Sequence, residues 1–400
     1  MAVVSEPRVS RRSRPFVPLV SVSLLSGTGY ALVSPFMALF LVKELQAGPF
    51  AVGAFLLVGA LASIVLSTLV GRFSDTRDVR RTLMFAASVV GAVALALFAV
   101  LRDYWLLLAV SVTLWAFSAS HMPQMFAYAR QLLDRSRSTR GAFAISGLRT
   151  TLSVAWVGGP PLGALLMTAA GFTGLFTAAA AMYVLTAVAT LIWLPRLGPD
   201  PVVTADVDHR PDPRGGFLLA SAAFVLLQGA TAVGVAAMPL FITEDLGGTA
   251  GDAGLVLGLC AALEIPLMLG FGALAVRFDH RVLVLAGGAL ALAYYSVMVL
   301  VQATWQVMAA QVLHAVVISA VMGVGISYFQ DLAPDRPGYA TTLYTNTARI
   351  SAMTSGPLLG AAQHFGYRTA YGMGLVMSVL GLALLLADRR QRRGAVSEGA

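Results

Sequence analysis

Twelve stretches, each apolar over roughly 20 residues or more, dominate the sequence: 17–42, 50–70, 82–101, 104–129, 141–169, 172–194, 216–242, 252–275, 282–301, 304–330, 339–363 and 367–387. A hydrocarbon core about 30 Å thick is crossed by about 20 residues rising 1.5 Å each. Inside that core every backbone N–H and C=O must be paired within its own segment, and continuous apolar runs of this length achieve that only as helices. The expected fold is therefore all-α and integral to the membrane, with twelve transmembrane helices. With 58% hydrophobic and 12% charged residues and a mean hydropathy of +0.80, the chain is excluded from the soluble globular class. The first span follows RRSRPF, as a signal peptide would, but it is too long and lacks a small-residue cleavage site, so it is read as the first helix.

The net charge of +8 resembles a nucleic-acid signal until its positions are read against the spans. Of the 27 Lys and Arg, 22 lie in the tails and in alternate connections, on the side that also holds both termini. The opposite connections hold only Lys43, Arg102 and Arg368, and Arg149 and Arg349 fall inside spans. Such a bias marks the cytoplasmic side. The chain is thus expected to be a multi-pass protein of the inner (plasma) membrane with both termini cytoplasmic and no nucleic-acid partner.

One connection is long. Residues 195–215 are rich in proline and aspartate, lack an apolar face, and read as a flexible cytoplasmic linker. The chain then divides into a tail (1–16), a six-helix bundle (17–194), the linker (195–215), a second six-helix bundle (216–387) and a tail (388–400). The bundles echo one another: RFSDTRDVRR after span 2 is matched by RFDHR after span 8, and GPPLG (159–163) in span 5 by GPLLG (356–360) in span 11. Small residues at such sites let helices approach closely, and proline bends them.

A charged side chain at mid-membrane costs about 2.5 kcal/mol or more on insertion scales, so the distribution of polar groups carries information. Spans 3, 6, 9 and 12 carry no charged, amide or imidazole group between their ends and are fit to face lipid. Spans 4, 5, 7, 8, 10 and 11 carry His121, Gln124, Arg149, Gln228, Glu264, Gln311, His314, Asn346 and Arg349, which should face a shared interior. Arg149, Glu264, His314 and Arg349 each lie about 10 residues from a mouth, roughly 15 Å deep. A polar substrate in a dry cavity needs such groups to replace its lost hydration. Glu264, the one acid near mid-depth, is the candidate proton carrier, with Arg149 its candidate partner and substrate donor. Gln124, Gln228, Gln311, His314, Asn346 and Arg349 are candidate substrate ligands, and Trp156, like Trp115, is a candidate stacking surface for a sugar ring. Two readings stay open: Arg149 and Glu264 handle substrate and proton, or they form a permanent pair that fixes helix register.

The run GRFSDTRDVRR (71–81) supplies a candidate gate on the linker side. Its acid can cap a helix or pair with an arginine. Gly71, Asp75, Arg80, Arg130 and Asp331 are the gate candidates, and solvated topogenic charge is the plainer alternative. Cys260 is the only cysteine, so no intrachain disulfide is possible. No metal cluster and no cofactor are expected.

The 71–81 run resembles the major facilitator loop motif G-x-x-x-D-R-x-G-R-R at Gly71, Asp75 and Arg80, and departs from it at Thr76, Asp78 and Val79. MPQMFAYAR (122–130), LRTTLSVAWVGGPPLG (148–163), MPLFI (238–242), LEIP (263–266) and YFQDLAPDRPGYATTLYTN (328–346) resemble the bacterial sugar efflux transporter (SET) family of that superfamily. The resemblance implies two pseudo-symmetric six-helix halves that rock about a midplane site, and proton-driven export of sugars or simple glycosides from the cytoplasm. Arg149 and Glu264 fall inside the matching stretches, and Arg349 just beyond them. The expected partners are a small-molecule sugar, protons and the bilayer, with the chain as a monomer.

Three rivals differ in what they need. A drug or natural-product exporter of the same fold should tolerate loss of single polar residues. A transporter-like sensor lacks a sizeable output domain here. An enzyme needs a nucleophile with its base, or a metal, and five scattered histidines with one cysteine supply neither. The topology is testable with alkaline phosphatase, a reporter active only outside the cytoplasm. Fusions after residues 46, 102, 247 and 302 should be active and fusions after 78, 198 and 390 inactive, whereas the reverse pattern would invert the orientation.

Overall fold

The computed structural model describes residues 16–75, 77–135, 141–197, 214–334 and 336–387, and every element among them is helical. Ten stretches among the described residues are long and apolar enough to cross a membrane. One of these, Thr150–Trp193, has 44 residues, about 66 Å if straight and twice the hydrocarbon core. It is two helices: the backbone breaks at Ala170 and at Gly171, where φ is +64° and only glycine enters without a Cβ penalty. The sequence places the same boundary between 169 and 172. A further helix, Pro337–Phe365, is not among the ten, because Thr341, Thr342, Thr345, Asn346, Thr347 and Arg349 dilute its apolar character.

Splitting the first and adding the second gives twelve segments: α1 (Val17–Lys43), α2 (Pro49–Asp75), α3 (Arg80–Val100), α4 (Tyr104–Leu133), α5 and α6 (Gly141–Trp193, before and after the break), α7 (Phe217–Asp245), α8 (Ala250–Leu274), α9 (His280–Leu300), α10 (Thr304–Leu332), α11 (Pro337–Phe365) and α12 (Arg368–Ala387). Helix starts at the membrane faces are capped where free N–H groups would otherwise meet a low dielectric. Asp103 accepts from Leu106 N at 2.9 Å, Thr249 and Asp252 form a reciprocal capping box, and Asp279 accepts from Arg281 N at 2.7 Å.

The two halves repeat each other in detail. At the start of α3, Arg81 donates to the carbonyls of Thr190 and Leu191 at the end of α6; at the start of α9, Arg281 donates to Leu385 O, 3.0 Å away, at the end of α12. Each arginine satisfies carbonyls that a helix end leaves open, and its charge suits the negative end of the helix dipole. The exposed faces of α3, α6, α9 and α12 are built of Val89, Val93, Val184, Leu185, Val188, Val282, Val297, Val376, Val379 and similar residues, the surface expected of helices that meet lipid.

The halves join through α5 against α8, α2 against α11, and the end of α1 against α7. The motifs seen in the sequence explain how. A Cβ on Gly254 would lie 2.7 Å from Pro160 O, one on Gly258 2.6 Å from Pro161 Cγ, and one on Gly356 2.8 Å from Gly53 O; one on Gly360 would overlap Pro49 O. Gly159 and Gly163 serve instead to seat α5 on Ala31 and Leu32 of α1. All of these contacts lie in the half of the bundle away from the linker. Toward the linker face, a Cβ on Gly71 of α2, or on Gly270 or Gly272 of α8, would meet nothing within 4 Å.

The far-face glycines are therefore structural. Gly258→Val should force helices apart and cost about 1–3 kcal/mol, the range of overpacking effects. Purified protein should show a clear fall in melting temperature, with Gly270→Val unchanged; equal effects at both positions would refute the packing account.

Candidate functional site

Counting 1.5 Å per residue from either mouth puts two clusters near mid-depth. The first belongs to the second half. On α8, Cys260 Sγ donates to Glu264 Oε1 at 3.5 Å, one helical turn away, and it also lies 3.6 Å from His314 Nδ1 on α10. That nitrogen lies 3.3 Å from Gln311 Oε1, and the Gln311 amide donates to Val307 O at 3.1 Å. The imidazole stacks on Tyr294 of α9, centroids 4.3 Å apart and planes within 2°. His314 Nε2 is buried and has no partner among the described residues. A thiol thus bridges the carboxylate and the imidazole, and one ring nitrogen, like the Tyr294 hydroxyl, is left without a hydrogen-bond partner among the described residues.

The second cluster belongs to the first half. Tyr30 of α1 stacks parallel to Trp115 of α4 at 6.3 Å and meets Trp156 of α5 edge-on at 6.4 Å. Both distances lie within the range in which aromatic pairs attract. Tyr30 is 41% exposed, and both indoles are partly exposed, so the cluster presents open ring surface.

The clusters are related through α5 and α8, which run antiparallel. Val157 O packs where a Cβ on Gly258 would sit. Arg149 is eight residues from that contact and Glu264 six, both toward the linker face, so their backbones stand within about 3 Å of the same level. The side chain of Arg149 lies outside the described residues. Among those described, the partner of Glu264 is Cys260.

The remaining predicted residues are dispersed. Gln228 is buried and donates to Thr347 Oγ1 at 3.2 Å, tying α7 to α11. Gln124 is buried near the linker face, where it donates to Ser74 Oγ at 3.0 Å and ties α4 to α2. Asn346 and Arg349 are exposed on α11. The described contacts do not join Asn346, Arg349, Gln124 or Gln228 to the Glu264 network, so the depth count does not by itself bring side chains together.

The gate candidates also separate. The side chain of Asp75 lies outside the described residues. Gly71 O accepts from Ser74 Oγ at 2.8 Å, Arg80 begins α3, and Arg130 is exposed near the end of α4. Asp331 pairs with His280 of its own half at 2.5 Å, so that contact does not bridge the halves.

Sequence reasoning missed three things. Tyr30 lies in a span that the sequence marks only as apolar, and Cys260 signals there only that no intrachain disulfide can form. The third is irregular helix geometry. Ser34–Phe36 of α1 forms a 3₁₀ turn, and π turns occupy Ser111–Trp115 of α4, Phe241–Asp245 of α7 and Ser319–Gly323 of α10. These are the first and fourth helices of each half. Pro35 and Pro239 signal two of the four, while Ser111 and Gly323 are common in regular helices and signal nothing. Such turns occur often at functional sites and bends.

Two matches to the Major Facilitator Superfamily model cover residues 19–227 and 219–400. The chain is 36% identical over 360 residues to sugar efflux transporter B of Salmonella typhimurium, covering 90% of this chain and 91% of that one. It is 34% identical over 379 residues to sugar efflux transporter A of Dickeya chrysanthemi, covering 94% and 96%. Among solved structures, a bacterial homologue of the human lysosomal transporter Spinster, in an inward-facing and unoccupied conformation, superposes with a TM-score of 0.74 at 14% identity, over 97% of this chain and 98% of that one. The fold, the repeated halves and these relatives agree: the chain belongs to the sugar efflux transporter family of the major facilitator superfamily.

Proposed function

We propose that this protein exports sugars or simple glycosides from the cytoplasm by alternating access, in exchange for protons. The observation that carries the reading is the pair of mid-depth clusters: open aromatic surface in one half and a carboxylate–thiol–imidazole network in the other. A sugar ring has an apolar face of C–H groups and a rim of hydroxyls. Tyr30, Trp115 and Trp156 suit the face; Glu264, Gln311 and the unpaired Nε2 of His314 suit the rim, since each hydroxyl withdrawn from water needs a replacement partner. Gln124, Gln228, Asn346 and Arg349 are proposed to line the path rather than the binding point. The curated relatives named for sugar efflux favour a sugar over other cargo.

Glu264 is assigned the proton. Its carboxylate sits in the membrane, accepts one weak thiol hydrogen bond, and stands level with the Arg149 backbone. A carboxyl there loads a proton when the cavity faces one side and releases it when access changes. Cytoplasmic opening is favoured by helix contacts concentrated on the far face. The linker face is then cytoplasmic, and Gly71, Asp75, Arg80, Arg130 and Asp331 belong to the gate on that side, which closes when the cavity turns outward.

The test is uptake of labelled lactose and glucose into inside-out vesicles under an imposed pH gradient. Wild type should accumulate sugar and lose accumulation when the gradient is collapsed. Glu264→Gln should lose accumulation while retaining sugar exchange. No sugar movement by well-folded wild type would reject the sugar reading in favour of a drug or natural-product exporter. Undiminished accumulation in the variant would reject Glu264 as proton carrier.

A further inference from the structure

The three basic residues of the far-face connections, Lys43, Arg102 and Arg368, all take part in one construction. The sequence MALFLVKEL (37–45) at the end of α1 recurs as MPLFITEDL (238–246) at the end of α7. The repeat aligns Phe40 with Phe241, Lys43 with Glu244 and Glu44 with Asp245. In the first half, the Arg102 guanidinium lies over the Phe40 ring at 5.5 Å, bonds Glu44 Oε2 at 3.1 Å, and donates to the carbonyls of Phe98, Ala99 and Leu101 that end α3. In the second, Arg368 lies over Phe241 at 5.4 Å, its backbone N–H donates to Asp245 Oδ2 at 2.8 Å, and its guanidinium donates to the carbonyls of Val299 and Val301 that end α9. Each half thus carries a phenylalanine–arginine–acid clasp, closed on the acid by the Arg102 guanidinium from the α3–α4 connection in the first half and by the Arg368 backbone N–H at the start of α12 in the second.

The repeat changes sign at one position, and there the halves meet. Lys43 Nζ lies 2.7 Å from Glu244 Oε1, while Gln363 of α11 donates to Ala47 O at 2.8 Å beside it. A pseudo-twofold axis brings equivalent positions together, and two lysines or two glutamates there would repel. The exchange of charge makes the contact attractive. Glu244 and Asp245 both act on the buried Tyr367, whose phenol is pushed up to about 12 by burial and by these two carboxylates, so Lys43 brings a cation to a locally acidic surface.

We infer that Lys43 and Glu244 form the latch of the far-face gate: the clasps hold each helix end rigid, and the charge pair between them sets the balance between the far-closed and far-open states. The pair is partly exposed, with side chains 48% and 32% accessible. Exposed pairs are weak, which is what a latch that breaks in every cycle requires. This rests on the alternating-access reading, but not on which cargo is carried.

The test is the distance distribution between spin labels at positions 105 and 305, on the far-face ends of α4 and α10, in wild type, Lys43→Glu, Glu244→Lys and the double variant, without sugar. Each single reversal should increase the long-distance population by about fivefold, the upper end for exposed pairs. The double variant should return it to within about twofold of wild type. High salt should narrow the differences. If a reversal does not fold, Lys43→Gln should give a smaller shift in the same direction. Unchanged distributions in the single variants, or no recovery in the double, would overturn the latch. Wild type that moves no sugar would sink the sugar assignment alone, because the distances are read without cargo.

Discussion

Hydrocarbon offers no hydrogen bonds, and the rest of this structure follows from that. An unpaired polar group left in it costs several kcal/mol, comparable to the whole stability of many proteins. Backbone groups are accordingly confined to helices. The arginines at helix starts are spent on the open carbonyls of neighbouring helix ends, as Arg81 and Arg281 show. Amides that cannot reach solvent tie helices together, as Gln124 does with Ser74 and Gln228 with Thr347. Against this background the network around Glu264 places a carboxylate, a thiol and a ring nitrogen that has no partner among the described residues together near mid-depth, linking α8 to α10.

Packing between the halves is lopsided. Glycine and proline bring α5 onto α8 and α2 onto α11 at backbone distance, but only in the far half of the bundle. Tight contact at one end and looser ends at the other is the geometry of a hinge. The four helices with 3₁₀ or π turns are the ones that also carry Tyr30, Trp115, Gln311, His314 and Gln228. Local loss of the regular hydrogen-bond ladder lets such helices bend without unfolding.

Much of this was legible in the sequence, for physical reasons that differ by feature. Spans are set by the thickness of the bilayer, so most segments could be read from apolar runs, and the run through 150–193, twice the length one crossing needs, required a break near Gly171, although polar residues dilute α11. The GPPLG and GPLLG motifs announced close approach, because few other residues permit it. Depth was legible too, since helix rise is fixed, and the backbone levels of Arg149 and Glu264 agree with the count. Rotation and tilt were not, because they depend on packing against other helices. For that reason Asn346 and Arg349 share the depth of Glu264 without joining its network, and Asp331 pairs with His280 rather than across the halves. The bridging role of Cys260 depends on a contact between α8 and α10 that no single-helix pattern encodes.

The central claim is that sugar binds against the aromatic cluster at mid-depth, and intrinsic fluorescence reads it directly because two of the chain's five tryptophans are in that cluster. Titration of purified protein with lactose or glucose should change the emission of wild type. The change should disappear in Trp115→Phe with Trp156→Phe and persist in Trp105→Phe, which alters an exposed residue at the far face. No change at sugar concentrations that support transport, or a change indifferent to loss of Trp115 and Trp156, would contradict the account.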